Sequence, residues 1–239
     1  MQERYLGDIH DYFKFLFLKF LSINLKIKIG LNWFLVNPKE IGSIEMAKND
    51  GEKRNYIEKP EFIKYDMKLI RELSKFKDKR KRNVEEFCKL TTLKRYINFY
   101  NKFIDCQNRD KWLTNSLSHL RKEKIIFLDP DNGFTTFKKG KISLKYIFPE
   151  DCKKILQSKK IIIFTQFQSF NKKNLVYLKE IYQNLKKFEL DPNFPIIRNR
   201  TAPNTFFITL SPKTNQMNLS TIYEEYANKY PKVEIIKSL

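Results

Sequence analysis

The chain has 239 residues, a length that fits one large α/β domain, and no Pro/Gly/Ser-rich linker divides it. Its 41% hydrophobic and 15% aromatic content excludes a disordered chain, because disordered segments lack large apolar side chains to bury. The formal net charge of +20 favours a polyanionic partner, DNA or RNA, although AT-rich coding alone also produces a lysine-rich composition. Three cysteines without Cys-x-x-Cys spacing, with only two histidines, give neither a disulfide framework nor a zinc pattern, so a reducing, cytoplasmic location is expected.

The N-terminal segment predicts an amphipathic helix. Apolar residues recur at helical spacing over residues 9–22, which places one apolar stripe against a core, and Asp8 is the expected N-cap. Lys14 falls off that stripe, one turn after His10 and three residues after Asp11. Side chains at this spacing are neighbours on a helix, so these three are expected to meet on a polar flank.

The apolar stretch at residues 12–36 does not predict a membrane span. Lysines interrupt it at spacings that a span of about 20 residues would not tolerate. A buried strand is predicted at Ile29–Val36 instead. A signal peptide is not expected either, because acidic residues occupy the place where its apolar region would begin.

The middle of the chain reads as a long loop followed by a basic helical segment. Prolines and glycines break every sustained period over about residues 37–62, and loops of this length inside domains are often functional. Residues 63–122 carry many lysines and arginines, with a less regular stretch at about 83–103. Helices are predicted at 66–77 and 108–120.

The C-terminal half alternates between apolar strands and amphipathic helices. Strands are predicted at 124–129, 160–165, 194–198, 205–210 and 232–236. Helices are predicted at 149–158, 172–188 and 219–229. Buried strands that alternate with helices imply a single α/β domain with three layers, in which a mostly parallel, Rossmann-like sheet has helices on both faces.

Two acidic residues, Asp129 and Asp131, stand where one of these strands ends. Ligands of such sheets bind outside the carboxyl ends of the strands, a rule that places Asn37–Pro38, Asp129–Phe134 and Thr165–Phe170 at one edge. Asp-Pro-Asp-Asn-Gly is also a sequence that suits a tight turn. An ordinary turn needs no pair of carboxylates beside a buried strand, so we interpret this stretch as part of a binding or catalytic site.

Two motifs resemble those of the bacterial 23S ribosomal RNA adenine-N6 methyltransferases. Residues Gly7–Lys14 (GDIHDYFK) are similar to the Gly-[Asn/Asp]-x-x-Asp-apolar-apolar-Lys segment that precedes the first strand in that family. Residues Phe127–Phe134 (FLDPDNGF) resemble in place and form its Asp-Pro-Pro-Tyr motif after the fourth strand. The resemblance implies a class I methyltransferase-like fold, S-adenosylmethionine as cofactor and amino methylation of adenine in DNA or RNA.

The resemblance and the strand-end rule together give the candidate site residues, grouped by expected role. The expected catalytic residues are Asp129, Asp131 and Lys14. The expected cofactor-binding residues are Asp11, Asn37 and Gly42. The expected substrate-binding residues are Asn132, Phe134 and Gln166, with Phe134 in place of the family's base-stacking tyrosine.

The sequence also departs from this family. The glycine-rich loop that follows the first strand has only Gly42 here, in VNPKEIG, and it comes late. Asp131 and Asn132 replace the second proline and the tyrosine of the second motif. A non-catalytic, nucleic-acid-binding subunit of a larger defence or RNA-processing assembly is therefore an alternative.

A second alternative is a nuclease that uses Mg²⁺. Pro130-Asp131 followed by Asp151-x-Lys153 fits a pattern in which carboxylates bind the metal and a lysine assists. That pattern expects its second half on a strand, whereas Pro149 at a first-turn position predicts a helix start there.

Overall fold

A seven-stranded mixed sheet forms the centre of the computed structural model, which describes residues 1–48, 53–214 and 217–239. The strands are β1 (Ile29–Asn32), β2 (Ile97–Tyr100), β3 (Ile125–Leu128), β4 (Ile161–Phe167), β5 (Pro192–Asn199), β6 (Thr205–Leu210) and β7 (Val233–Ile236). Their spatial order is β2-β1-β3-β4-β6-β5-β7. The first four are parallel to one another, while β6 and β7 run antiparallel to their neighbours, so five strands point the same way.

Helices cover both faces of this sheet, which confirms the predicted three-layer α/β fold. The α-helices are α1 (Ile9–Leu25), α2 (Pro38–Ile41), α3 (Ser43–Ala47), α4 (Pro60–Ile63), α5 (Met67–Ser74), α6 (Val84–Leu90), α7 (Arg109–His119), α8 (Pro149–Gln157), α9 (Asn174–Lys187) and α10 (Ser220–Lys229). Short 3₁₀ helices occur at Glu3–Tyr5, Asn55–Glu58, Lys79–Lys81, Thr92–Arg95 and Gly140–Lys145.

Two hydrophobic cores lie on opposite faces of the sheet because strand side chains alternate between them. In β3, Ile125 and Phe127 belong to the core beneath α1, α5 and α10, while Ile126 and Leu128 belong to the core beneath α7, α8 and α9. Neighbouring strands follow the same alternation. These strands read as continuous apolar runs because both of their faces are buried.

Helix α1 is buried more completely than its single apolar stripe predicts. Tyr12, Phe15 and Leu18 are buried although they lie off the stripe, because α1 packs against the sheet and also against α5 and α10. Lys14 is buried as well, with a relative exposure of 2%. The predicted polar flank is therefore an interior ion cluster and not a solvated face. The predicted N-cap is confirmed, since Asp8 accepts hydrogen bonds from the first-turn backbone.

Strand β1 is shorter than the predicted Ile29–Val36. The Oδ1 atom of Asn32 accepts a hydrogen bond from the Phe34 backbone, and its Nδ2 atom donates one to Ser116 in α7. Phe34 then adopts a left-handed conformation with φ of 46°, which turns the chain out of the strand. Trp33 to Val36 are nonetheless fully buried.

The middle of the chain holds more regular structure than the sequence predicts. The described parts of the expected loop at 37–62 form short helices, and residues 49–52 lie outside the described residues. The basic segment at 63–122 contains the edge strand β2 as well as helices. Among the described residues, no helix is both long and apolar enough to cross a membrane.

Candidate functional site

A pocket of about 460 Å³ opens at the carboxyl edge of the sheet, and we refer to it as the rim pocket. Its lining comes from the N-terminal residues up to the start of α1, the residues that follow β3, the end of β4, and single residues of other loops. Its acidic lining residues are Asp8, Asp11, Asp129 and Asp131. Its aromatic lining residues are Tyr5, His10, Phe167 and Phe170. Lys48 and Lys145 also line it, so carboxylates, rings and two ammonium groups meet in a space of ordinary ligand size.

Lys14 joins the two motifs beneath this pocket. Its Nζ atom lies 2.5 Å from Oδ1 of Asp11 and 2.5 Å from Oδ2 of Asp129. The same ammonium lies 4.3 Å from the centre of the Trp33 ring, a cation–π contact. Thr165 in β4 donates a hydrogen bond of 3.2 Å to the other oxygen of Asp129. The Asp129 carboxylate is therefore held from two sides at the strand end.

Two acids at the start of α1, Asp8 and Asp11, are buried beside Lys14. Burial raises the pKa of Asp8 to about 6, although backbone hydrogen bonds and the charges of Lys14 and Arg54 lower it. Burial, with the charges of Asp8 and Asp129, also raises the pKa of Asp11 to about 6 against the attraction of Lys14. Burial would lower the pKa of Lys14, but the two carboxylates outweigh it and raise that pKa. This end of the pocket favours an added positive charge or a proton.

Asp131 belongs to a second buried cluster on the pocket wall. Its carboxylate lies 3.2 Å from the Met1 amino group and 3.6 Å from Lys145 Nζ, and it accepts a hydrogen bond of 2.6 Å from Gln2. These cations outweigh burial and lower the pKa of Asp131. Lys145 also contacts Glu45 at 2.8 Å. Asp131 is therefore a carboxylate at neutral pH.

His10 is a neutral side chain in the pocket. Burial lowers its pKa to about 4, although the charges of Asp11 and Asp129 raise it. None of the described residues forms a hydrogen bond with its buried Nδ1 atom. Its ring meets that of Phe167 edge to face, with 5.3 Å between the centroids. At pH 7 the imidazole thus offers an unused polar atom beside an aromatic ring.

The structure brings five of the nine predicted site residues together. Lys14 lies directly under the rim pocket in contact with Asp11 and Asp129, and both of these aspartates line it, as do Asp131 and Asn132. The contact between Lys14 and Asp129 joins side chains 115 positions apart in sequence. The convergence of the two motifs on one hollow is therefore observed.

Phe134 and Gln166 are placed in the interior instead of at the pocket wall. Phe134 is 3% exposed and packs on Phe164. Gln166 is fully buried, accepts a hydrogen bond of 2.8 Å from the Phe134 backbone and donates one to Tyr177. These contacts hold the loop after β3 against β4, so both residues support the site without facing a ligand.

Asn37 and Gly42 are also away from the rim pocket. The Asn37 side chain caps α2, and Gly42, with φ of 142°, joins α2 to α3 with no atom of the described residues within 4 Å of a Cβ built on it. The segment that directly follows β1 is Trp33–Val36, whose side chains fill the core. The segment after β1 does not form a glycine-rich loop around a cofactor. Its large side chains occupy the space in which a glycine backbone would approach a ligand.

The residues of the nuclease pattern are not assembled. Asp151 caps α8 by accepting a hydrogen bond from the Phe148 backbone and pairs with Arg109 at 2.6 Å. Lys153 lies near Glu189 on the surface. Asp131 is in the rim pocket, which neither of the other two lines. Within the described parts of the chain, no group of three or more His, Cys, Asp or Glu side chains is arranged to hold a metal ion.

Sequence reasoning missed the buried cluster that Gln2, Glu45 and Lys145 form around Asp131. Glu45 lies on a short helix inside the expected loop, and Lys145 ends a 3₁₀ helix between β3 and α8. Hydrogen bonds from Gln2, Lys145 and Lys48 outweigh burial and lower the pKa of Glu45 to about 2. Neither Glu45 nor Lys145 stands in a sequence motif, so the sequence carries no local signal for this cluster.

Comparison of the chain with protein-family models, curated proteins and solved structures found no match. The chemistry of the rim pocket is therefore the basis on which a function is inferred.

Proposed function

We propose that this chain is a nucleic-acid-acting enzyme that methylates an amino group of a base, with the rim pocket as its reaction centre. The observation that carries the proposal is the acidic and aromatic lining of that pocket at the carboxyl edge of the sheet. The two motifs that resemble the adenine-N6 methyltransferases converge there through the contact of Lys14 with Asp129. The net charge of +20 supports a polyanionic substrate.

The residues present fit S-adenosylmethionine in the rim pocket and not after β1. The cofactor combines a sulfonium, an ammonium and a carboxylate with an adenine ring, and when bound it supplies an electrophilic methyl group. Asp8 and Asp11 suit the cationic groups, Lys48 and Lys145 suit the carboxylate, and Tyr5, His10 and Phe167 suit the ring. A volume of about 460 Å³ lies within the range of small-molecule sites.

The remaining polar groups suit the substrate amine. Asp129 and Asp131 are acceptors at the pocket surface, held by Lys14 and by Lys145 with the Met1 amine. Carboxylates in fixed positions orient an amino group by accepting its hydrogens. A methylated amine must release a proton, and Asp11, with its pKa raised to about 6, is suited to accept it near neutral pH.

Removing the Asp8 charge should weaken S-adenosylmethionine binding about tenfold, because one charge-assisted contact is lost. Asp8→Asn is a conservative change, since asparagine caps helices as well as aspartate does. Isothermal titration measures the dissociation constant, with S-adenosylhomocysteine, which lacks the sulfonium charge, as the comparison ligand. Asp66→Asn is the matched control, because Asp66 caps α5 away from the pocket. Equal affinities for the Asp8 variant and the wild type would argue against the assigned pocket.

Affinity for S-adenosylmethionine should rise between pH 5 and pH 7 and then level off. The pKa values of Asp8 and Asp11 are raised to about 6, and a cation binds their ionised forms, so ligand and protons compete below that pH. His10, with its pKa lowered to about 4, stays neutral over this range. Titrations at several pH values should show a flatter profile for Asp8→Asn, and an identical slope in both proteins would contradict the role of Asp8.

The buried Trp33–Val36 segment favours a second candidate, a non-catalytic nucleic-acid-binding subunit. The two candidate functions are distinguished by a methyl-transfer assay, because only the enzyme transfers a methyl group. The protein is incubated with labelled S-adenosylmethionine and unmethylated RNA or DNA, and N6-methyladenine is measured by mass spectrometry. Methyl incorporation that disappears in Asp129→Asn supports the enzyme. Nucleic-acid binding without heat from millimolar S-adenosylmethionine, and without transfer, supports the subunit.

A further inference from the structure

Two loops beside the rim pocket carry the same unusual arrangement of residues. In each, a solvent-exposed phenylalanine precedes lysines: Phe137-Lys138-Lys139 in the loop between β3 and α8, and Phe170-Asn171-Lys172-Lys173 in the loop between β4 and α9. Phe137 is 79% exposed and Phe170 is 83% exposed. Rings this exposed leave a large apolar area in contact with water, and covering that area with a stacked base is favourable.

Both loops reach the mouth of the rim pocket. Phe170 lines the pocket directly, and Ile142, five residues after Phe137 in the other loop, lines it as well. Lys138 and Lys141, which lie between Phe137 and Ile142 in sequence, line a second pocket beside that loop. An unpaired strand that placed one base in the pocket would bring its flanking bases to these loops.

Contacts at the base of each loop anchor it to the rest of the protein. The first is closed by the bridge between Phe134 and Ile147 and by Lys145, which points inward to Glu45. The second is closed by Gln168, whose backbone and side chain both form hydrogen bonds with Asn204. Anchoring of this kind fixes where the exposed rings stand, which lowers the entropy cost of stacking on them.

Several lysines of the loops are available for phosphates. Lys139, Lys141 and Lys173 are exposed and form no ion pair with any described residue. Lys138 and Lys172 pair with Glu150 and Glu180 at the surface. Exposed pairs of this type contribute little, so a phosphate can replace the carboxylate at small cost.

We propose that these two loops form a platform for single-stranded nucleic acid, on which bases stack against Phe137 and Phe170 while the lysines contact the phosphates. The inference rests on the proposed function and names its substrate class as an unpaired strand and not a duplex. A duplex keeps its bases stacked on one another and offers no ring faces, whereas every base of a single strand has a face that an aromatic side chain can cover.

Fluorescence anisotropy with a labelled 12-nucleotide single strand, of RNA and of DNA, and with the matching duplexes tests the platform. The wild type should bind the single strand more tightly than the duplex at equal salt. Phe137→Ala combined with Phe170→Ala should weaken single-strand binding by about tenfold or more, and Phe→Tyr at both positions should restore it. Phe188→Ala is the control, because Phe188 is also partly exposed but lies at the end of α9.

The outcomes separate the platform from the proposed function. Equal single-strand affinities with and without Phe137 and Phe170, or a preference for duplex, would overturn the platform even if the wild type binds S-adenosylmethionine. Binding of single strands through these two rings by a protein that takes up no S-adenosylmethionine and transfers no methyl group would overturn the methyltransferase and keep the platform. Replacing Lys139 and Lys173 with Gln should in addition reduce the dependence of the dissociation constant on salt.

Discussion

Replacing Lys14 with methionine should lower the free energy of unfolding by about 3–5 kcal/mol at pH 7. Its ammonium lies 2.5 Å from carboxylate oxygens of both Asp11 and Asp129, and all three side chains are at most 10% exposed. Methionine keeps the length of the side chain but leaves two buried carboxylates without their cation. Urea denaturation followed by circular dichroism measures the loss.

The same substitution on the same helix provides the control. Lys19 pairs with Asp66 at 2.5 Å, but its side chain is 25% exposed. Because water screens a partly exposed pair, Lys19→Met should cost less than about 1 kcal/mol. Similar losses of unfolding free energy for the two variants would show that burial does not determine how much the Lys14 ion pairs contribute to stability.

The loss from Lys14→Met should also depend on pH. Burial already raises the pKa of Asp11 to about 6 with the lysine present, and removing the lysine raises it further. A carboxyl group whose pKa is higher in the folded state than in the unfolded state binds protons on folding, so acid stabilises that fold. The difference between variant and wild type should therefore shrink as the pH falls from 8 to 5. A constant difference would mean that lost packing, and not unpaired charge, is the cause.

The parts of the fold that follow from periodicity were predictable from the sequence. The strand at Ile125–Leu128 and its neighbour at Ile161–Phe167 read as apolar runs because both faces are buried. Once parallel strands are assumed, their carboxyl ends share an edge, and this places Asp129 near Thr165. The position of Lys14 at that edge was predicted from the resemblance of the two motifs to those of the methyltransferases. No local sequence pattern relates Lys14 to Asp129, which is 115 positions away.

Features set by tertiary packing were not predictable in this way. Helix α1 has one evident apolar stripe, but α5 and α10 pack against its other sides. The sequence of α1 itself does not predict these contacts. Lys145 is one of many lysines, and only contact with Glu45, 100 positions earlier, distinguishes it. Strand β1 ends at Asn32 because the Asn32 side chain forms hydrogen bonds with Phe34 and Ser116. The apolar sequence around Asn32 does not predict this end.

Replacing Gly133 with alanine should lower the free energy of unfolding by about 2–5 kcal/mol, the sum of two costs. Gly133 has φ of 84°, a left-handed conformation that costs other residues about 1–2 kcal/mol. A Cβ atom there would also clash with the side-chain amide of Gln166. Gln166 is fully buried, so moving it leaves the Phe134 amide without its acceptor at a cost of about 1–3 kcal/mol.

Gly140→Ala is the matched control because it isolates the backbone cost. Gly140 has φ of 48°, but in the described part of the chain nothing lies within 4 Å of a Cβ atom built on it, so a loss of only about 1–2 kcal/mol is expected. Thermal and urea unfolding measure both variants. A second readout is S-adenosylmethionine affinity, which should fall for Gly133→Ala alone, because that loop carries Asp131 and Asn132 into the pocket.

A double-mutant cycle decides whether the contact with Gln166 explains the Gly133 effect. Gln166→Ala removes both the crowded amide and the acceptor of the Phe134 backbone. If the clash displaces Gln166, most of the cost of losing that acceptor is already present in Gly133→Ala, so the two changes should be strongly non-additive. Additive losses would assign the Gly133 effect to its backbone conformation alone and would leave the loop after β3 positioned by other contacts.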